Sequence, residues 1–260
     1  MKYLLISAVF FVILLFGIWI IAIPEDRIAN LAEHALDNTA LHLEFSGLRK
    51  GLFYNFTADW ISIKKNDNTL ILIENLSGHL NLASILKLKL PLVFTGSLGS
   101  GTIKGELDLL RKNRDIIIRI NNAGTEQIPF FGFIGLRGGG ILSGELLLKN
   151  NIGEIKFELK DTKFTSGTFG SLNVPLNMLN SAKGAMEISG NTLKVLSFAL
   201  DGDGVYARVK GDVTDNRLNL VLELMPEKSF TDRNLVFTLL EKYRVSPGYY
   251  MVPLTNQLNY

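Results

Sequence analysis

From residue 41 onward, apolar and polar residues trade places at every second position, again and again, between short clusters of turn-forming residues. That period belongs to a strand with one face covered and one face wet, and a helix cannot satisfy it. Leu41, Leu43 and Phe45 alternate with His42 and Glu44. Over 53–64, Phe56, Ala58, Trp60 and Ser62 share one face, and Thr57, Asp59, Ile61 and Ile63 the other. Further strands are predicted over 69–74, 78–82, 90–98, 102–110, 115–121, 141–149, 154–160, 184–189, 192–200, 205–213 and 217–224. Between them lie Asn66-Asp67-Asn68, Asn150-Asn151 with Gly153, Gly190-Asn191 and Asp201-Gly202-Asp203-Gly204, all tight-turn sequences. Turns that short join antiparallel neighbours, so the expected fold is mainly β, a mostly antiparallel meander and not a parallel α/β sheet.

Glycine recurs within these strands. Gly101-Thr102-Ile103-Lys104-Gly105-Glu106-Leu107, Gly140-Ile141-Leu142-Ser143-Gly144-Glu145-Leu146 and Ala207-Arg208-Val209-Lys210-Gly211-Asp212-Val213 share one form, small-x-aliphatic-x-Gly-acid-aliphatic. A glycine inside a strand permits a bend or bulge, so the repeat predicts a sheet curved along a line. Several strands, such as 70–73 and 116–118, are apolar on both faces, and the second face needs a helix, another layer or a ligand. Helices are few: 83–88, 129–136, and a C-terminal one capped by Thr231 or Asp232 with Leu235, Val236, Leu239, Leu240 and Tyr243 on one face.

Residues 3–23 carry no charge and are mostly Leu, Ile, Val and Phe. As a helix this run reaches about 31 Å, the thickness of a bilayer's hydrocarbon core. Tyr3, Phe10, Leu14, Trp19 and Ile23 mark the expected membrane anchor, with Trp19 near the far interface and Lys2 favouring a cytoplasmic N-terminus. A cleaved signal peptide is the competing reading. Its apolar core usually runs only about 7–15 residues before a small-x-small site, and residues 19–24 offer no good one. Length favours a retained anchor over 1–24, followed by a single domain over 25–260. Residues 26–36 have helical spacing and an acidic first turn, as expected of a short amphipathic helix beside the membrane.

Chemistry-bearing patterns are sparse. The 27 basic and 25 acidic residues nearly cancel, so no nucleic-acid surface is indicated, and the absence of cysteine excludes disulfides and thiolate chemistry. His34, His42 and His79 lack metal-ligand spacing, and no serine lies in a GxSxG context. Gly138-Gly139-Gly140 leads into a strand, where a phosphate loop would lead into a helix. Asp201 and Asp203 lack the twelfth-position glutamate of a calcium loop, where Asp212 stands in a strand pattern instead. Glu106, Glu145 and Asp212 occupy equivalent places in a repeated strand motif, as solvent-facing residues do. No enzyme activity, metal or cofactor is expected. Ile128-Pro129-Phe130-Phe131-Gly132-Phe133-Ile134 is the densest apolar cluster outside the anchor, a core plug, a contact or a membrane-dipping tip.

Several segments, taken in order, resemble one family. They are Pro24-Glu25-Asp26-Arg27-Ile28 closing the anchor, 76–86 with Leu80-Asn81-Leu82-Ala83-Ser84-Ile85-Leu86, the Gly101–Leu107 strand, and Ile128-Pro129-Phe130 leading to Gly144-Glu145-Leu146. Val174-Pro175-Leu176, Gly184-Ala185-Met186-Glu187-Ile188, Leu218-Asn219-Leu220-Val221-Leu222 and Gly248-Tyr249-Tyr250-Met251-Val252-Pro253-Leu254 follow. The chain is similar to the type II secretion system protein N family, whose outer part resembles AsmA-like domains. Where the family ends on Pro-Leu-Thr-Gly-x-Leu, Asn256 replaces the glycine.

The resemblance implies an N-terminal transmembrane helix followed by an elongated, curved sheet forming an apolar trough. It also implies a non-enzymatic component of an envelope secretion machine, single-pass in the bacterial inner membrane, with the bulk of the chain periplasmic. Expected partners are the bilayer and secretion-system subunits, or a phospholipid shielded in the trough. Ile71, Ile73, Ile116, Ile118 and Leu147 are candidate wall residues, and Phe130, Phe131 and Phe133 candidate contacts.

Overall fold

The computed structural model describes residues 41–108, 115–133, 135–150, 152–169, 172–214, 217–232 and 236–257. The expected anchor over 1–24 and the amphipathic helix over 26–36 lie outside them. Among the described residues no helix is long and apolar enough to cross a membrane.

The protein is mainly β, one large antiparallel sheet with a few short helices. The chain runs through β1 (Leu41–Ser46), β2 (Arg49–Lys50), β3 (Asn55–Lys65), β4 (Asn68–Leu80), β5 (Pro91–Leu98), β6 (Gly101–Asp108) and β7 (Ile116–Gly124). It continues with β8 (Leu136–Arg137), β9 (Ile141–Lys149), β10 (Ile152–Lys160), β11 (Ser166–Phe169), β12 (Leu172–Pro175) and β13 (Leu179–Ser189). Last come β14 (Thr192–Gly202), β15 (Val205–Thr214), β16 (Arg217–Pro226), β17 (Arg244–Ser246) and β18 (Tyr249–Gln257).

Fifteen of these strands form a single sheet in the order β1-β3-β4-β5-β6-β7-β9-β10-β13-β14-β15-β16-β18-β17, with β2 pairing β3 beside β1. The order follows the chain except where it leaves the sheet and at the C-terminal edge, where β18 lies between β16 and β17. Between β7 and β9 and between β10 and β13, the excursions supply β8, β11 and β12, which pair as a separate three-stranded sheet. The helix Pro129–Phe133 belongs to the first excursion and lies against β4 as well as β8. Buried Phe56, Ala58, Ile73, Leu76, Leu98, Ile103, Ala123 and Ile128 form one core, and Leu159, Phe164 and Ala182 a second. Phe131 and Leu142 pack against both.

Most predicted strands are present with shifted ends. The separate 69–74 and 78–82 strands are one strand, β4, because Asn75 takes a left-handed conformation (φ +50°) that absorbs a residue without breaking the pairing. The strands β11, β12 and β18 escaped the periodicity reading. Glycine and proline interrupt the alternation in all three, and pairing partners, not local pattern, make them strands. The expected C-terminal helix is the short Val236–Leu240 followed by a 3-10 turn, Glu241–Tyr243.

The central glycines of the repeated motif divide: Gly144 and Gly211 stand at register shifts, as the sequence indicates, and Gly105 plays a different part. Among the register shifts are those at Asn75, at Asn122 (φ +52°) and around Leu196; Gly105 sits in unbroken ladders, whereas Gly144 pairs with Ile120 where the Asn122 shift begins. Gly105 pairs with Phe94, and a Cβ there would fall inside the Phe94 ring. Gly78 is covered by Phe56 and Gly184 by Phe157 in the same way. The glycine removes a side chain so that a cross-strand phenyl ring can lie flat on the sheet. Only Gly211 in the repeat needs a backbone that other residues avoid, at φ +129° beside the Leu196 bulge. Gly105→Val is therefore expected to expel the Phe94 ring and cost about 1–3 kcal/mol through overpacking. Thermal unfolding of the full chain measures it, and adding Phe94→Leu should restore part of the loss.

Candidate functional site: the apolar face of the sheet

Register decides which residues meet. Ile116 pairs with Leu148, Leu148 with Gly153, Gly153 with Ile188, Ile188 with Leu193, Leu193 with Val213 and Val213 with Leu218. One step along the strands, Ile118, Leu146, Ile155, Met186 and Val195 form the next row, and Phe157, Gly184 and Phe198 belong to the row beyond. Directly paired residues share a face, so these rows form one apolar surface running across the strands from β7 to β16.

Two ends of that face differ. At the end bearing Leu142, Leu159, Ala182 and Leu200, it is covered by Phe131, Leu136, Phe164 and Leu176 from the excursions. Phe131 stacks on Phe164 with ring centroids 6.3 Å apart. At the other end Ile116, Leu148, Ile188, Leu193, Val213 and Leu218 remain partly exposed, and among the described residues nothing buries them.

The opposite face is charged. Arg119 Nε donates to Glu145 Oε1 at 2.6 Å, and Glu158 accepts Lys183 at 2.8 Å and Lys160 at 3.0 Å. The hydrogen bond from Lys183, then that from Lys160, lowers the Glu158 carboxyl, and Lys183 is raised in turn. Glu223 is buried between Arg208 at 2.5 Å and Lys210 at 3.4 Å. Burial alone raises its carboxyl, but the hydrogen bond and charge of Arg208, then those of Lys210, outweigh it and leave the carboxyl below the ordinary glutamate value.

The structure brings together Ile71, Ile73, Ile118 and Phe131, all in or against the first core, while Ile116 stands in the partly exposed row. Leu147 is separated from them: it pairs with Ile117 on the charged face, one residue out of phase with Leu146 and Leu148. Phe130 and Phe133 are exposed on the short helix, 40% and 47%, and Phe130 meets Phe131 edge-on at 5.9 Å. The anchor residues Tyr3, Phe10, Leu14, Trp19 and Ile23 lie outside the described residues. Sequence reasoning missed Leu146, Leu148, Ile155, Met186, Ile188 and Leu193. Their alternation with charged neighbours is visible in the sequence, but their common face depends on register.

A second concavity of about 440 Å³ opens between the Pro129–Phe133 helix and β8, lined by Thr125, Glu126, Ile128, Phe131, Leu136 and Arg137. Thr125 is fully buried there, and Glu126 lies close over Gly124 and Gly139. His42 and His79 are exposed on strands, and among the described residues no three His, Asp or Glu side chains group as a metal site would need. Glu145 and Asp212 are engaged by Arg119 and Asn219 on the charged face.

A carboxyl with a lowered pKa stabilises the fold above its unfolded-state value, and that stabilisation is lost as pH falls through the folded value. Glu223→Gln should lower the thermal unfolding temperature by a few degrees at neutral pH. The gap from the wild type should close as the pH is taken below the ordinary 4.5.

No family model matches the chain, and neither the curated proteins nor the solved structures contain one detectably similar to it.

Proposed function

We propose that this chain is a non-enzymatic binding protein of the bacterial envelope, a component of the type II secretion system of the protein N kind. Residues 1–24 tether it in the inner membrane with the N-terminus in the cytoplasm, and residues 25–260 form an elongated, curved, AsmA-like trough in the periplasm. It acts in assembly or stabilisation through protein contacts and uses no cofactor. The observation that supports a binding role is the register that aligns apolar rows across the sheet and, among the described residues, leaves one end of them uncovered. A sheet face of this kind needs a partner, since large contiguous apolar patches are costly in water. Among the described residues the sheet also ends on β1 on one side and on β17 with β18 on the other, edges to which a partner's strand can add. The secretion assignment rests on the sequence resemblance.

The same uncovered rows favour a second reading, in which the trough shields the acyl chains of a phospholipid. Leu146, Ile155 and Met186 would then line the wall, where alkyl chains find no competing hydrogen bonds.

Native mass spectrometry of the full chain, with lipid extraction, separates the two readings. Under the first, cross-linking in cells recovers secretion-platform subunits at native abundance, and Ile155→Asp weakens that recovery without loss of a bound lipid. Under the second, stoichiometric phospholipid co-purifies and Ile155→Asp removes it. Neighbouring genes that encode no secretion ATPase or pseudopilin would overturn the first.

A further inference from the structure

We propose that the loop tips at one end of the strands, Leu52 and Phe53 with Leu88, dock on an anionic lipid bilayer surface. These three are the most exposed large apolar residues described, at 63%, 68% and 80%. They belong to one end of the sheet. The turn before β3 is held against the end of β4 by Leu80 N donating to Tyr54 O at 3.1 Å. The loop carrying Leu88 starts there and is closed by Asn81 N donating to Pro91 O at 2.9 Å. With neighbouring strands about 4.8 Å apart, β3 and β5 bring the two tips within about 10 Å laterally.

The backbone holds these side chains outward in an unusual way. Among the described residues other than glycine, the left-handed region is occupied by Asn or Asp everywhere except Phe53 (φ +58°), Tyr54 (φ +61°) and Leu88 (φ +54°). Bulky residues avoid that region, and all three exceptions fall in these two loops. An ordinary turn would have used Gly or Asn. Here the chain accepts strain and displays apolar side chains to solvent.

Arg49, Lys50, Lys87 and Lys89 bracket the tips. The nearby carboxylates Asp59 and Asp115 reach Arg49 and Lys89 only at 3.9 Å. Protruding apolar side chains ringed by basic ones suit a bilayer interface, where the apolar groups enter the acyl boundary and the cations stay with anionic headgroups. A protein partner would instead favour a contiguous apolar patch with few charges at its centre.

Polarity along the strands adds to this. Ile116, Leu148 and Ile188, where the apolar face is uncovered, stand at the same strand ends as the tips. Leu41 pairs with Lys65, so the first described residue and the Asn66-Asp67 turn stand at the opposite end.

The chain has no cysteine, so single positions can be labelled without background. Full chain carrying Phe53→Cys, Leu88→Cys or, as control, Asn66→Cys is labelled with an environment-sensitive fluorophore and mixed with vesicles containing brominated phosphatidylcholine. One set of vesicles also holds phosphatidylglycerol, and the other does not. The expected result is quenching at 53 and 88 about twofold or more above that at 66, only with phosphatidylglycerol, and abolished by K87E with K89E. Quenching at 53 and 88 no greater than at 66, equal quenching without phosphatidylglycerol, or quenching that survives the charge reversal would each overturn it. Tips that stay unquenched yet become protected when a protein partner is added would overturn it in favour of a protein contact.

Discussion

Whether a set of alternating strands builds one surface or cancels it is decided by register. A slip of one residue moves every side chain of a strand to the other face. In this protein the pairs from β7 to β16 stay in phase over the rows that matter, so Ile118, Leu146, Ile155, Met186 and Val195 stand side by side. The charged residues between them are gathered on the other face by the same ladder, where Arg119 meets Glu145 and Lys183 meets Glu158. Core, ion pairs and candidate binding surface all depend on that phase.

Keeping the phase across a large sheet requires local corrections. The left-handed Asn75 and Asn122 and the irregularity at Leu196 each absorb a residue, and the one at Asn75 lets Ile73 and Leu76 both reach the first core. Glycines work beside them as spaces. Gly78, Gly105 and Gly184 let Phe56, Phe94 and Phe157 lie across the ladder and bury aromatic area against backbone. The sheet thereby obtains a core without a second full layer. Among the described residues, excursions from the meander supply cover, with Phe131 shared between the two cores and Phe237 packed on Tyr250 beyond β16.

That economy leaves an asymmetry along the strands. The end near the small sheet is closed over Leu159 and Ala182, while the end near Leu148 and Leu193 is left open by the described residues. The strained turn at Phe53-Tyr54 and the exposed Leu88 belong to the open end. A binding face and a ring of apolar, basic-flanked tips therefore share one border of the molecule.

The period-two alternation and the Asn, Asp and Gly turn clusters determined by themselves that the chain is mainly β and antiparallel, because backbone spacing leaves no other structure for that pattern. They also made β9, predicted over 141–149, legible to the residue. Tertiary structure alone decided the rest. Leu147 read as an equal of Ile116 and Ile118, yet pairing placed it with Ile117 on the charged face. Gly105 read as a bend, yet the facing Phe94 ring made it a space, while Gly144 and Gly211 do stand at register shifts. The strands β11, β12 and β18 exist because partners present edges to them. A sequence records which residues alternate; only hydrogen bonding between strands distant in the chain selects the phase in which those alternations combine.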